Sequence, residues 1–279
     1  MKRILFTLSC IVFAFVSHLS QAATLRNDVP SCTTDVPSEY YQKPMERELV
    51  ILVDKTMAHS LDQGIKAELY QSVTRFIQPG DKVQLVEFSS FAQDSYTKVA
   101  FNGQLDTQID AEHRSYVKKS VLKALDKCLD QQHKFMLNKI GVALQEAFQP
   151  QEKPTNTELI GTLNDISRQV LTYSTSKRKV VLIISDMLEN SDITSFYKSN
   201  KTRVIDPQQE LVKVSNAEMF ANFNQADVYI IGTGVVPGNQ QYISAQKMNY
   251  LELFWRDYFN QSNANLIAFG KPMLLSDIR

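Results

Sequence analysis

The chain has 279 residues, 43% of them hydrophobic and 22% charged, with 15 Phe, 11 Tyr and 1 Trp. That is enough apolar content to bury a substantial core and too much for a disordered chain. Nine Gly, nine Pro and no internal repeat exclude a collagen-like, β-helical or solenoid protein. Lys plus Arg and Asp plus Glu both number 30, so there is no basic excess of the kind a nucleic-acid or anionic-membrane partner selects.

Lys2 and Arg3 precede an apolar run from Ile4 to Val16, followed by Ser20-Gln21-Ala22. A positive start, a short apolar centre and small residues before the break form a secretory signal, with cleavage expected after Ala22. The run is short for a membrane span, and Cys10 lacks the leucine-like residue three places earlier that a lipoprotein signal needs. Residues 1–22 are therefore expected to be a signal peptide, and the mature chain an exported protein, periplasmic or secreted, without a stable transmembrane segment. Its 28 basic and 30 acidic residues give a formal charge of minus two.

Cys32 and Cys128 are the cysteines left after cleavage. An even pair in an oxidising compartment points to one disulfide, with two separately buried thiols as the alternative. A loop this long stabilises by roughly 4 kcal/mol on chain-entropy reasoning.

Along the mature chain, residues 23–46 carry Pro30, Pro37 and Pro44 and form an irregular strap. Residues 48–54, Glu-Leu-Val-Ile-Leu-Val-Asp54, are a continuous apolar run of the sort buried on both faces of a parallel sheet. Leu61, Ile65, Leu69, Val73 and Phe76 have helical spacing, ended by Pro79-Gly80. Strands are expected over 82–88 and, more weakly, 97–105. The stretch 110–148 is charged and helical, and a break near Asp130-Gln131-Gln132 would make it a hairpin of two helices within a helical insertion of about 106–150. A helix over 157–172, a buried strand over 179–186 ending in Asp186, a long polar loop over 187–225, a strand over 226–232, a helix over 242–259 and a strand over 264–270 complete the order. Alternating strands and helices define an α/β fold over 47–279, a doubly wound, Rossmann-like, mostly parallel sheet flanked by helices.

Ligands of such sheets bind beyond the carboxyl ends of the strands. Asp54 and Asp186 both fall there, with Thr56 two places after the first and Thr155-Asn156-Thr157 opening a later helix. Carboxylates with hydroxyls make an all-oxygen site suited to Mg²⁺, Ca²⁺ or Mn²⁺. The plainer alternatives are that the aspartates cap helix N-termini and that Thr155 with Glu158 forms a capping box. Lys55 is expected to point away from the site, and Phe254, Trp255 and Tyr258 to lie in the core.

The run Leu-Val-Asp54-Lys-Thr56-Met-Ala58-His-Ser60 resembles the D-x-S-x-S motif of von Willebrand factor A (vWA) domains. The stretch from Thr155 to Leu163 is similar to their second motif, a threonine opening a helix, and Ile-Ile-Ser-Asp186 to their third. The resemblance covers about Arg47 to Gly270. It implies a vWA-like fold with a metal-ion-dependent adhesion site in which Asp54, Thr56, Thr155 and Asp186 hold a divalent cation whose open position takes a carboxylate of a partner protein. The chain departs from the pattern at Ala58, where a second hydroxyl is usual, and at Met187, where a glycine is usual, so the site is degenerate. Ser60 and His59 are candidate substitutes. A protein–protein interaction module is the function so implied. The alternatives are a metal-dependent phosphoesterase-type hydrolase and a scaffold with a decayed metal site. Against a hydrolase, the sequence has no Gly-rich phosphate loop, no G-x-S-x-G and no H-E-x-x-H; the mature chain holds only His59, His113 and His133.

Overall fold

A computed structural model of the chain describes residues 26–44, 46–89, 96–150, 158–199, 201–236 and 241–279. The expected signal peptide and Thr155 lie outside the described residues.

Six strands form the main sheet: β1 (Arg47–Asp54), β2 (Lys82–Ser89), β3 (Tyr96–Gln104), β4 (Arg178–Ile184), β5 (Ala226–Ile231) and β6 (Ala264–Phe269). Their order is β6-β5-β4-β1-β2-β3. All neighbours are parallel except β2 and β3, an antiparallel edge pair. This is the doubly wound, mostly parallel α/β sheet expected from the apolar runs. It reverses winding direction between β1 and β4, which is where such sheets open a crevice.

Strand side chains alternate between faces, and β1 shows what that does here. Leu49, Ile51 and Val53 face a core shared with α1 (Gln63–Phe76) and α2 (Lys119–Ala147). Val50 and Leu52 face a second core shared with α3 (Leu159–Ile166), α4 (Pro207–Asn216) and α5 (Ala245–Gln261). Both faces are thus covered, and a strand with two dry faces has no polar position to alternate with. The helix starts follow local chemistry. Asp62 accepts from the Ile65 N–H at 2.9 Å to cap α1. Asp206 caps α4 ahead of Pro207, and Ser244 caps α5.

Three expectations are corrected. The segment around Asp130-Gln131-Gln132 does not break; α2 runs unbroken from Lys119 to Ala147. Neither glycine nor proline occurs there, and Gln132 is engaged outside the helix. Its amide donates to the Pro30 carbonyl at 2.7 Å and to Asp106 Oδ2 at 2.9 Å, so it does not compete for the helix backbone. Nor is α2 simply an insertion, because Met136, Ile140 and Leu144 pack into the core against the sheet. The polar stretch 187–225 is not one long loop: it contains α4 and a short antiparallel ladder pairing Tyr197-Lys198 with Lys201-Thr202. Leu188, Phe196, Leu211, Val214 and Phe223 bury it against α5. The helix expected over 157–172 is α3, continued by a wider π turn over Ser167–Leu171.

The strap lies along the β3 edge, where the Asp28 N–H donates to the Asn102 carbonyl at 2.8 Å and Arg26 Nη1 to the Val99 carbonyl at 3.0 Å. Strand edges left bare invite foreign strands, and the strap occupies this one. A Cys32–Cys128 disulfide ties it to α2, as the cysteine count implied. Among the described residues no helix is long and apolar enough to cross a membrane.

Candidate functional site

β1 ends in Asp54 and β4 in Ile184, and the two strands are hydrogen-bonded neighbours with Val53 opposite Ile184. Ser185 and Asp186 follow directly. Adjacency of these strands is what brings the two aspartates together at the winding switch. Both are buried, at 0% and 4% exposure.

Asp54 is held by three donors. Oδ1 accepts from the Thr56 N–H at 2.9 Å and the Thr56 hydroxyl at 2.6 Å, and Oδ2 accepts from the Ser185 hydroxyl at 2.9 Å. Asp186 Oδ1 accepts from the Leu188 N–H at 2.9 Å. Neither aspartate caps a helix: the nearest helix start, α1, uses Asp62. Burial raises the pKa of Asp54 despite its three donors. Burial first, and then the charge of Asp54, push Asp186 well above the usual carboxylate range. The nearby cationic side chain is committed elsewhere. Lys55 is turned from the aspartates, as expected: its ammonium lies 3.2 Å from Glu87 Oε2 on β2 in a nearly buried pair.

Two residues at this site were not anticipated. Ser185 was visible as the hydroxyl inside Ile-Ile-Ser-Asp186, one place before the expected ligand. Tyr197 carried no signal, since it lies in the polar stretch after β4. Burial raises its phenol pKa, and the charges of Asp186 and Asp54 raise it further. The ladder that carries it is anchored by Phe196, whose ring meets Phe254 and Trp255 edge-on at 5.0 and 6.4 Å. Phe254, Trp255 and Tyr258 are core residues, as expected.

Met187 occupies the glycine position of the third motif and adopts φ 60°. That left-handed backbone costs a side-chain-bearing residue of the order of 1 kcal/mol. Two bonds hold it: the Met187 N–H donates to the Ser185 hydroxyl at 3.1 Å, and Trp255 Nε1–H donates to the Met187 carbonyl at 2.8 Å. The missing glycine therefore leaves the local conformation in place. Ala58 is buried and supplies no oxygen. Ser60 Oγ and His59 Nε2 are 3.2 Å apart on the short turn after β1.

The donor set fits a hard cation. Two buried carboxylates repel one another with Lys55 turned to Glu87. The Thr56 hydroxyl spends its proton on Asp54, and its lone pairs remain for a metal. Among the described residues no group of three or more His, Cys, Asp or Glu side chains is placed to hold a metal ion, at Asp54 and Asp186 or elsewhere.

No family model matches the chain, and no curated protein is similar to it. Solved structures similar to it in outline include proximal thread matrix protein 1 from the mussel byssus, at 14% identity and TM-score 0.34, covering 80% of this chain and 49% of that one. The chain thus spans about half of the mussel protein. An aerotolerance-related membrane protein from Bacteroides fragilis, carrying multiple mutations to serines, is 13% identical with TM-score 0.33 and coverages of 81% and 92%. A von Willebrand factor type A structure from Catenulispora acidiphila is 12% identical with TM-score 0.34 and coverages of 81% and 38%. From its own topology, with Asp54 and Asp186 at the carboxyl edge of β1 and β4, the chain has a vWA-like α/β fold.

Proposed function

We propose that this protein is an exported protein–protein interaction module whose Asp54–Asp186 pair holds a divalent cation, Mg²⁺, Ca²⁺ or Mn²⁺. The observation that carries the reading is two adjacent, buried, mutually repelling carboxylates with their nearest lysine turned to Glu87. A cation held there offsets that repulsion. Asp54, Asp186 and the Thr56 hydroxyl are its ligands in this reading, with Ser185 orienting Asp54 and Thr155 a further ligand by resemblance alone. The ion supplies a positive point for a partner's carboxylate.

Electron paramagnetic resonance of free Mn²⁺ tests the reading. One ion bound per chain is expected, with binding lost in Asp186→Asn. Partners retained on the immobilised wild-type chain are expected to elute with chelator and to be absent from the Asp186→Asn column. Full Mn²⁺ binding by that variant would overturn these ligands.

A second reading, a scaffold with a decayed site, is favoured by Ala58 and by the three donors that already satisfy Asp54. It expects no Mn²⁺ binding by the wild type.

A further inference from the structure

A second surface, away from the sheet's carboxyl edge, has the form of a peptide-binding groove. The strap and the start of α2 enclose a groove of about 520 Å³. Val36, Pro37 and Tyr40 form the strap wall, and Tyr116, Val121 and Ala124 the opposite one. Tyr116 is 74% exposed, and Tyr40 is stacked on His113 at 4.6 Å between ring centres. The walls are held in register from behind by the Cys32–Cys128 disulfide, which packs with Val36, Tyr40 and Val117.

The α2 side of this groove is basic. Lys118 lines it. Lys119, Lys123 and Lys127 follow at four-residue spacing, which makes one row on a helix. Lys123 and Lys127 stand three residues from Ser120 and Ala124, both in the lining, so the row borders the groove. All four lysines are exposed, and among the described residues none of them is in a salt bridge. Asp126, the acidic residue within the row, is taken by Arg114 through a two-pronged pair. Like charges at this spacing weaken a helix by a few tenths of a kcal/mol per pair, a cost that an external anion removes. α2 also starts without a side-chain cap, which leaves first-turn N–H groups facing the same end. Asp35 is the acidic residue on the strap wall, so an anionic chain is favoured along α2 and disfavoured along the strap.

We infer that this groove docks an acidic segment of a partner protein, with an apolar side chain packed onto the Tyr40–Tyr116 ring pair, whose centres are 6.3 Å apart, and carboxylates along the lysine row. The pocketed, aromatic walls favour an inserted peptide side chain over a flat lipid surface. The surface is distinct from the aspartate pair and stands whether or not that pair binds a cation.

The test uses the mature chain and a fluorescein-labelled peptide, EELFEE, followed by anisotropy, with KKLFKK as the charge control. Expected are salt-sensitive binding of EELFEE, no binding of KKLFKK, and about a tenfold or greater loss in K123E/K127E. Tyr116→Ala is expected to weaken binding with an unchanged salt dependence. Tyr116, Lys123 and Lys127 are exposed, so unchanged circular dichroism and melting are expected of those variants and confirm folding. Asp186→Asn is expected to bind EELFEE as the wild type does; loss there would place the peptide at the aspartate pair and overturn the inference. No binding by the wild type, equal binding by K123E/K127E, or binding only to phosphatidylglycerol vesicles would each overturn it too.

Discussion

Strand β1 begins and ends at buried carboxylates, and the two ends treat charge in opposite ways. At its start Arg47 grips Asp81 through two nitrogens, donates to the Phe76 carbonyl and stacks on the Phe76 ring at 4.6 Å. Asp81 also accepts the Gln78 N–H at 2.8 Å. At its end Asp54 has only neutral donors and a second carboxylate, Asp186, for company. In the proposed reading, the difference separates a structural charge from a functional one. A buried ion needs an opposite charge or specific hydrogen bonds to be tolerated. At the amino end the chain provides its own counter-charge; at the carboxyl end the two carboxylates have only neutral donors.

The largest expected effect comes from breaking the amino-end pair. Arg47→Met leaves Asp81 buried and uncompensated, and urea unfolding is expected to show a loss of about 3–5 kcal/mol. A loss as small as that of an exposed pair would remove the contrast between the two ends. Next is the disulfide. Cys32→Ser with Cys128→Ser is expected to cost about 2–4 kcal/mol by the same measurement, because the bond closes a loop of 96 residues.

A third carboxylate sharpens the comparison through pH. Glu189 is fully buried, and Oε2 accepts the Ile160 N–H at 2.9 Å at the start of α3. Burial pushes its pKa up to about 8. The unfolded chain ionises Glu near pH ~4.3, so above that pH the folded state holds the extra proton. This contribution is complete below the unfolded value and is lost as pH rises toward 8. Roughly 2 kcal/mol is expected to disappear between about pH 6 and 8. Asp54 and Asp186, also raised, add to the slope with the same sign. Glu189→Gln keeps an oxygen acceptor for Ile160 and is expected to flatten the slope of stability against pH; an unchanged slope would show that Glu189 titrates normally. The smallest effect belongs to Lys134→Ala. Its pair with Asp130 has side chains 71% and 62% exposed, and unfolding is expected to show no measurable change.

The fold was largely legible because strands buried on both faces leave an unmistakable apolar run, and because a carboxylate closing such a run has few places to lie. Asp54 and Asp186 could each be placed at the carboxyl end of a strand on that ground alone; that the two strands are neighbours is a property of the fold. Residues fixed by tertiary packing were not legible. Tyr197 is positioned by Phe196, which is locked into the aromatic cluster of α5, a contact between residues far apart in sequence. The unbroken α2 was hidden for a similar reason: the polar residues at its centre looked like a turn, and only the bonds from Gln132 to Pro30 and Asp106 reveal why they are helical. Met187 shows the reverse case, a departure from motif that Trp255 makes harmless to the backbone.

The most direct test of the central claim is thermal melting of the mature protein in chelator and then in excess Mg²⁺, Ca²⁺ or Mn²⁺, beside Asp186→Asn. Cation at one hundred times its dissociation constant should stabilise the wild type by about 2.7 kcal/mol and leave the variant unmoved. A wild-type melting temperature indifferent to all three ions, or an equal rise in the variant, would contradict a cation held between Asp54 and Asp186.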